Sequence, residues 1–282
     1  MISIKNRTFD EERALYNLKD AQVFNCTFAG EKDGESVLKE SSFVEISNCS
    51  FSLRYPLWHC DNFTLKNCHL DNLTRAPIWY SKKGLIKDSK IEGIKCLRES
   101  SDIVIKNSVA VSPEFCWRCK NIENDNCDIT SEYLMFECKN VKVNGLKMSG
   151  KYSFQYLKDA TFENCVFDTK DAFWHGKNIT VKNSVLKGEY LGWYSENLTL
   201  INCEIEGTQP LCYCKNLKLI DCKMTNCDLS FEYSSVKATI LGEIDSVKNV
   251  LRGKIVADKI GQVIVDDYKY KPKAKIIAKS GK

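Results

Sequence analysis

The chain has 282 residues, 43% of them hydrophobic, and a net charge of +4 from 41 basic and 37 acidic side chains. That supports a real core, while so small a charge bias argues against a nucleic-acid partner; only the stretch from Lys269 to Lys282 is locally basic. The opening Met1-Ile-Ser-Ile-Lys-Asn-Arg7 has neither an apolar run nor a small-residue cleavage site, and no run of about 18 apolar residues exists to cross a bilayer, so the expectation is a cytoplasmic protein with no membrane partner.

In chain order, residues 1–20 read as an N-terminal cap, in which Glu11-Glu-Arg-Ala-Leu-Tyr16 is placed to cover the first coil. A regular repeat then fills residues 21–234. An Asn-Cys-like step recurs at Asn48, Asn67, Asp88, Asn107, Asn126, Gly145, Asn164, Asn183, Asn202 and Asp221, and from Asp88 onward every interval is 19 residues. A second column lies five residues upstream, at Asn62, Asp102, Asn121, Asn140, Asp159, Asn178, Asn197 and Asn216. These residue types tolerate left-handed backbone, so both columns read as corners.

Between the corners apolar and polar residues alternate, as in Asn178-Ile-Thr-Val-Lys-Asn183, which turns Ile179 and Val181 inward. After the second corner Cys68, Cys127, Cys165, Cys203 and Cys222 form one inward column, and Leu70, Ile129, Phe167, Ile205 and Met224 another. The pattern predicts an all-β fold, a right-handed parallel β-helix of about a dozen coils with three short strands and three corners each. Residues 235–282 complete a single domain, with Ile255–Ile260 and Gln262–Val265 as closing strands before a basic tail.

All five tryptophans fall in one column of the third strand, expected to be the longest: Trp58, Trp79, Trp117, Trp174 and Trp193, with Arg98, Phe136, Gln155, Cys212 and Phe231 in the remaining coils. Small or apolar residues flank it, so the column reads as an inward aromatic ladder, with Arg98 held by cation–π contacts to Trp79 and Trp117. The alternate positions then face outward, placing Cys116, Met135, Phe154, Phe173, Gly192, Leu211 and Ser230 on the surface along with an amphipathic strip. That strip, formed by Tyr133, Tyr152, Tyr156, Asp171, His175, Tyr190, Tyr194, Gln209 and Tyr213, suits a carbohydrate or similar polyhydroxylated ligand. Aromatic enrichment fits a protein interface equally well, including one with a second copy of the chain.

Catalytic candidates are Glu99, Arg118 and Glu137, with His175. Two coils of about 4.8 Å put the two carboxylates about 9.6 Å apart, just beyond the range of about 6.5–9.5 Å used by inverting glycosidases; the competing reading is a solvated charge column. Arg54 and Arg75 stack beside the acidic segment Asp33–Glu40 as a secondary anion-site candidate, with internal salt bridges as the structural alternative. The 15 cysteines, an odd number without an export signal, read as reduced thiols serving as small apolar side chains. In a strand Cys116 and Cys119 point to opposite faces, which argues against metal, and nothing calls for a cofactor.

The strings Asp33-Gly-Glu-Ser-Val-Leu-Lys-Glu40, Leu53-Arg-Tyr-Pro-Leu-Trp-His59, Gly188-Glu-Tyr-Leu-Gly-Trp-Tyr-Ser195 and Gly207-Thr-Gln-Pro-Leu-Cys-Tyr-Cys214 resemble the microbial domain-of-unknown-function family numbered 3737 along nearly the whole chain. The resemblance implies a single-stranded, pectate-lyase-like β-helix, and brings no reaction or ligand. No string matches the catalytic Asp and Arg arrangements of pectin lyases or polygalacturonases, so an enzymatic reading, as a carbohydrate-active lyase or glycoside hydrolase, rests on the fold alone. The leading expectation is a β-helix that binds, with modification as a further option, a carbohydrate on the third-strand outer face. The alternative is a non-catalytic scaffold using that face for protein contacts.

Overall fold

A computed structural model describes residues 1–30 and 34–279. The fold is a right-handed parallel β-solenoid of about 14 turns spaced ~19 residues apart, with no helix among the described residues. The ends wind too: Ile2–Lys5 pairs in parallel with Lys19–Phe24, and Ser235–Lys248 with Arg252–Ile264. The segment assigned to the cap is itself laid on the next turn, with Arg13, Leu15 and Asn17 donating to the carbonyls of Glu35, Val37 and Lys39. Two compact units make up the chain, Met1–Lys147 and Met148–Lys282.

In the first unit the strands between the two corners stack in parallel, and the register Ile103 to Ile122 to Val141 carries one buried column through successive turns. In the second unit Ala160, Ile179 and Leu198 do the same. Alternation works here because an extended strand sends successive side chains to opposite faces. The expected inward columns at Cys68 and Cys127, and at Cys165, Cys203 and Cys222, are buried, as are their apolar neighbours. All 15 cysteines are free and buried.

Every residue of both corner columns has φ near +50° to +65°. L-residues with a Cβ are penalised there, and Asn or Asp least, because the short polar group bonds locally. The side chains also link turn to turn. In the first unit the Asn140 amide donates to Asn121 Oδ1 and Asn121 to Asp102 Oδ1, both at 2.7 Å. In the second, Asn216, Asn197 and Asn178 form the same chain at 2.7 and 2.8 Å, ending on Asp159.

The third side departs from the expectation. Its strands are short in the first unit, where Leu57–Trp58, Ile78–Trp79, Cys96–Arg98, Glu114–Trp117 and Tyr133–Leu134 form a five-stranded sheet. In the second unit the corresponding segments, at residues 152–156, 171–175, 190–194 and 209–213, are turns. The reason is left-handed backbone at alternate positions: Tyr152, Phe154 and Tyr156 have φ of 56°, 62° and 56°, and Asp171, Phe173 and His175 repeat this. A left-handed residue reverses the pleat, so period-two alternation fails. Phe154, Phe173, Cys116, Met135 and Leu211, expected on the surface, are fully buried, as is Ser230, and Gly192 is buried as well. The tryptophans, expected inside, lie half-buried on the outer face.

One inward position of the first unit carries a polar side chain. Asn124 stands between Ile105 and Val143 in the core register and is 2% exposed. Neither amide atom makes a hydrogen bond of ordinary geometry, the Cys127 thiol being the polar group beside it. A buried amide without partners costs about 1–3 kcal/mol. Asn124→Val, copying Val143, is therefore expected to raise unfolding stability by about that amount in urea titration; a variant less stable than the parent would show that the amide is satisfied in solution.

Candidate functional site

On the outer face of the second unit, four rings form one ladder. Tyr156 and His175 stack at 5.0 Å with planes 4° apart, His175 and Tyr194 at 5.0 Å and 7°, and Tyr194 and Tyr213 at 4.8 Å and 12°. Tyr156 and Tyr194 are 43% and 45% exposed, so the rings face solvent. Parallel turns set the ring spacing, and each ring sits on left-handed backbone, with φ from 53° to 60°.

Beside the ladder Trp174 and Trp193 stack at 5.4 Å and 3°, and Trp193 meets Tyr213 edge-on at 5.3 Å. Their indole N–H groups donate to the carbonyls of Tyr190 and Gln209, each at 2.7 Å. The indoles are thus fixed by the following turn. At the far end Tyr233 continues the column at 6.0 Å from Tyr213, and its hydroxyl accepts the Lys269 N–H at 2.9 Å. The C-terminal segment therefore closes the ladder there. Tyr152, Asp171, Tyr190 and Gln209 occupy a parallel column at the start of the same turns, with Tyr190 edge-on to Trp193 at 5.2 Å.

The first unit repeats the scheme with different chemistry. Trp58 and Trp79 stack at 5.2 Å and 5°, and His59 and Tyr80 at 5.0 Å and 16°. Arg98 lies between Trp79 and Trp117, 4.9 and 4.7 Å from their rings, and its guanidinium reaches Glu114 at 3.4 Å. The expected cation–π sandwich is present, on the outer rather than the inner face. Tyr133 is half-buried, edge-on to Trp117 at 5.8 Å.

Glu99, Arg118 and Glu137 are exposed on successive turns of the first unit, and the Arg118 guanidinium donates to Glu137 at 2.7 Å. Arg118 is thereby tied to one of the two carboxylates that a hydrolytic pair would need. Arg54 and Arg75 pair through their backbones, and Arg54 Nη2 lies 3.6 Å from Glu35. Asp33, at the head of the acidic segment, lies outside the described residues.

The cysteine geometry differs from the expectation. Cys116 and Cys119 do not point to opposite faces: both are buried, because Cys116 and Arg118 are left-handed and break the alternation between them. Cys212 and Cys214 are both inward around half-buried Tyr213. Burial pushes the Cys60 and Cys214 thiols up to about 12, which suits inert side chains that hydrogen-bond weakly to the backbone.

A model of the family described as a protein of unknown function (DUF3737) matches residues 2–278. No curated protein matches the chain. Among solved structures, PfbA, a surface adhesin of Streptococcus pneumoniae, aligns over 97% of this chain and 83% of its own at 11% identity and a TM-score of 0.42. The periplasmic alginate epimerase AlgG aligns over 91% and 75% at 10% identity and 0.41. The A-module of the Azotobacter vinelandii mannuronan C-5 epimerase AlgE4 aligns over 97% and 89% at 10% identity and 0.33.

Asp171 is the one buried carboxylate of the strip, 5% exposed. Burial raises its pKa; Lys170 opposes the shift and Glu189 adds to it, while those two pair with each other at 2.9 Å. With the folded value above the unfolded one, the contribution of Asp171 to stability is fully present below the unfolded value of about 3.9 and is lost as pH rises through the folded value. Asp171→Asn, which tolerates the left-handed backbone, is expected to melt higher than the parent at pH 7, with the gap closing by about pH 4. A parent that melts higher than the variant at pH 7 would mean that the carboxylate is stabilised by partners.

Proposed function

The chain belongs to the DUF3737 family of proteins of unknown function, and from the ladder geometry we propose that the second unit binds a linear carbohydrate or similar polyhydroxylated chain along Tyr156, His175, Tyr194 and Tyr213. The observation that supports this reading is a stack of four polar-tipped rings repeating at about 5 Å, three of them exposed and Tyr213 half-buried. Within the ladder each ring face is covered by its neighbour, so His175 and Tyr194 offer edges and polar tips rather than flat faces. A ligand on it is read by hydrogen bonds to phenol and imidazole groups at a constant pitch, with ring edges and the flanking indoles covering its apolar C–H groups.

A sugar polymer matches such a surface, since each of its units is about as long as the pitch and presents both hydroxyls and C–H groups. Rigidity favours affinity: the rings are held by stacking and the indoles by backbone hydrogen bonds, so little side-chain freedom is lost on binding. Gln209 in the adjacent column supplies a further polar contact, while Asp171 is buried beneath the surface.

The test is calorimetry and thermal shift with a panel of neutral and acidic oligosaccharides, using Tyr194→Ala and His175→Ala. At least one oligosaccharide is expected to raise the melting temperature, with affinity falling about tenfold or more on Tyr194→Ala, equivalent to about 1.4 kcal/mol. No response to any saccharide, together with a concentration-dependent oligomer dissolved by Tyr194→Ala, would instead assign the ladder to a protein interface.

A further inference from the structure

We propose that Cys116, Cys119 and Cys138 of the first unit form a three-sulfur binding site for a soft, closed-shell metal cation, copper(I). Their Sγ atoms all lie within 4.8 Å of one another, and Cys116 and Cys138 are 3.9 Å apart. Sulfurs about 2.3 Å from a common centre stand ~4.0 Å apart in a trigonal plane, so the trio needs to move by less than about 1 Å to close on an ion. All three are at most 2% exposed, so water does not compete for the ion.

Structural need accounts for two of these thiols but not the third. Cys119 and Cys138 continue a corner column whose other members include Ser41, Cys60, Ser81 and Ser100. There a thiol or a hydroxyl serves equally: Ser81 Oγ accepts the Cys60 N–H at 3.0 Å and donates to the Leu57 carbonyl at 3.1 Å. Cys138 Sγ does the same, accepting the Cys119 N–H at 3.3 Å and donating to the Cys116 carbonyl at 3.0 Å. Cys116 belongs to a different column, where Leu97 and Met135 fill the neighbouring turns, and nothing in that column requires a thiol. Its left-handed backbone aims it at the corner pair.

Among the described residues the cluster contains three ligands. Structural zinc sites take four, whereas soft thiolates without a fourth donor suit copper(I). On binding, each ligating thiol releases its proton to solvent and its sulfur donates a lone pair to the metal; no electron is transferred. The Cys119 N–H remains on Cys138 Sγ and stabilises charge on that sulfur.

Because the site is sealed, loading has to precede folding. The full chain is unfolded anaerobically, refolded with copper(I) or with zinc(II) in parallel, passed over a copper(I) chelator and analysed for metal. The parent is expected to retain one copper more than Cys116→Leu or Cys138→Ser, to melt higher with copper than without it, and to show three sulfur neighbours by X-ray absorption. Leu97 and Ser100 already hold equivalent positions, so both variants keep residues that the columns accommodate. If Cys116→Leu does not refold, Cys138→Ser decides. Equal copper in parent and variants, no retained copper, or retention of zinc alone overturns the proposal.

Discussion

The structure depends on a backbone that turns left-handed at fixed places in every coil. Extended strands alone would run straight; the corners bring the chain back under itself after about 19 residues. Each corner residue meets an intrinsic penalty of about 1–2 kcal/mol, least for Asn, Asp and Gly. The amide chains through Asn121 and Asn197 offset part of that cost by linking each corner to the next. Stacked apolar columns do the rest, with thiols and hydroxyls filling the tight corner space and bonding to the backbone across turns.

On the third side of the second unit the same device recurs at every second residue, and there buried and exposed side chains no longer alternate as in a strand. There the left-handed positions are held by bulky residues such as Phe154, Phe173, Tyr156 and His175, which do not favour this conformation. Burial of the phenylalanines and stacking of the exposed rings compensate. The result is a rigid row of aromatic edges, with the indoles of Trp174 and Trp193 pinned to the next turn. The row differs between units: His59 and Tyr80 are followed by the Glu99, Arg118 and Glu137 charges in the first, whereas rings run without interruption from Tyr156 to Tyr213 in the second.

The first two sides were legible from sequence because Asn, Asp and Gly announce left-handed corners and extended strands alternate. Tyr156, His175 and Tyr194 were placed on the outer face correctly, whereas the Arg98 sandwich between Trp79 and Trp117 was paired correctly but put on the inner face. The tryptophan column was placed on the wrong face, because its reading assumed a pleated strand. A signal against that assumption was present: a pair of buried residues precedes each tryptophan, as in Pro56-Leu57, Pro77-Ile78, Phe115-Cys116, Ala172-Phe173 and Leu191-Gly192, and an alternating strand does not bury two neighbours. The same assumption hid the convergence of Cys116 on Cys119 and Cys138, which no spacing rule for a strand would suggest.

The left-handed corner is tested most directly by comparing two triple variants at Asn178, Asn197 and Asn216, one with glycine and one with alanine, in equilibrium urea unfolding. Both lose the amide chain, so their difference isolates the backbone. Alanine incurs about 1–2 kcal/mol per left-handed residue, against about 0.4–1 kcal/mol of extra unfolded-state entropy for glycine. The glycine variant should therefore be the more stable of the two, reversing the usual rank of these residues in regular structure. Equal stability, or an advantage for alanine, would contradict left-handed corners.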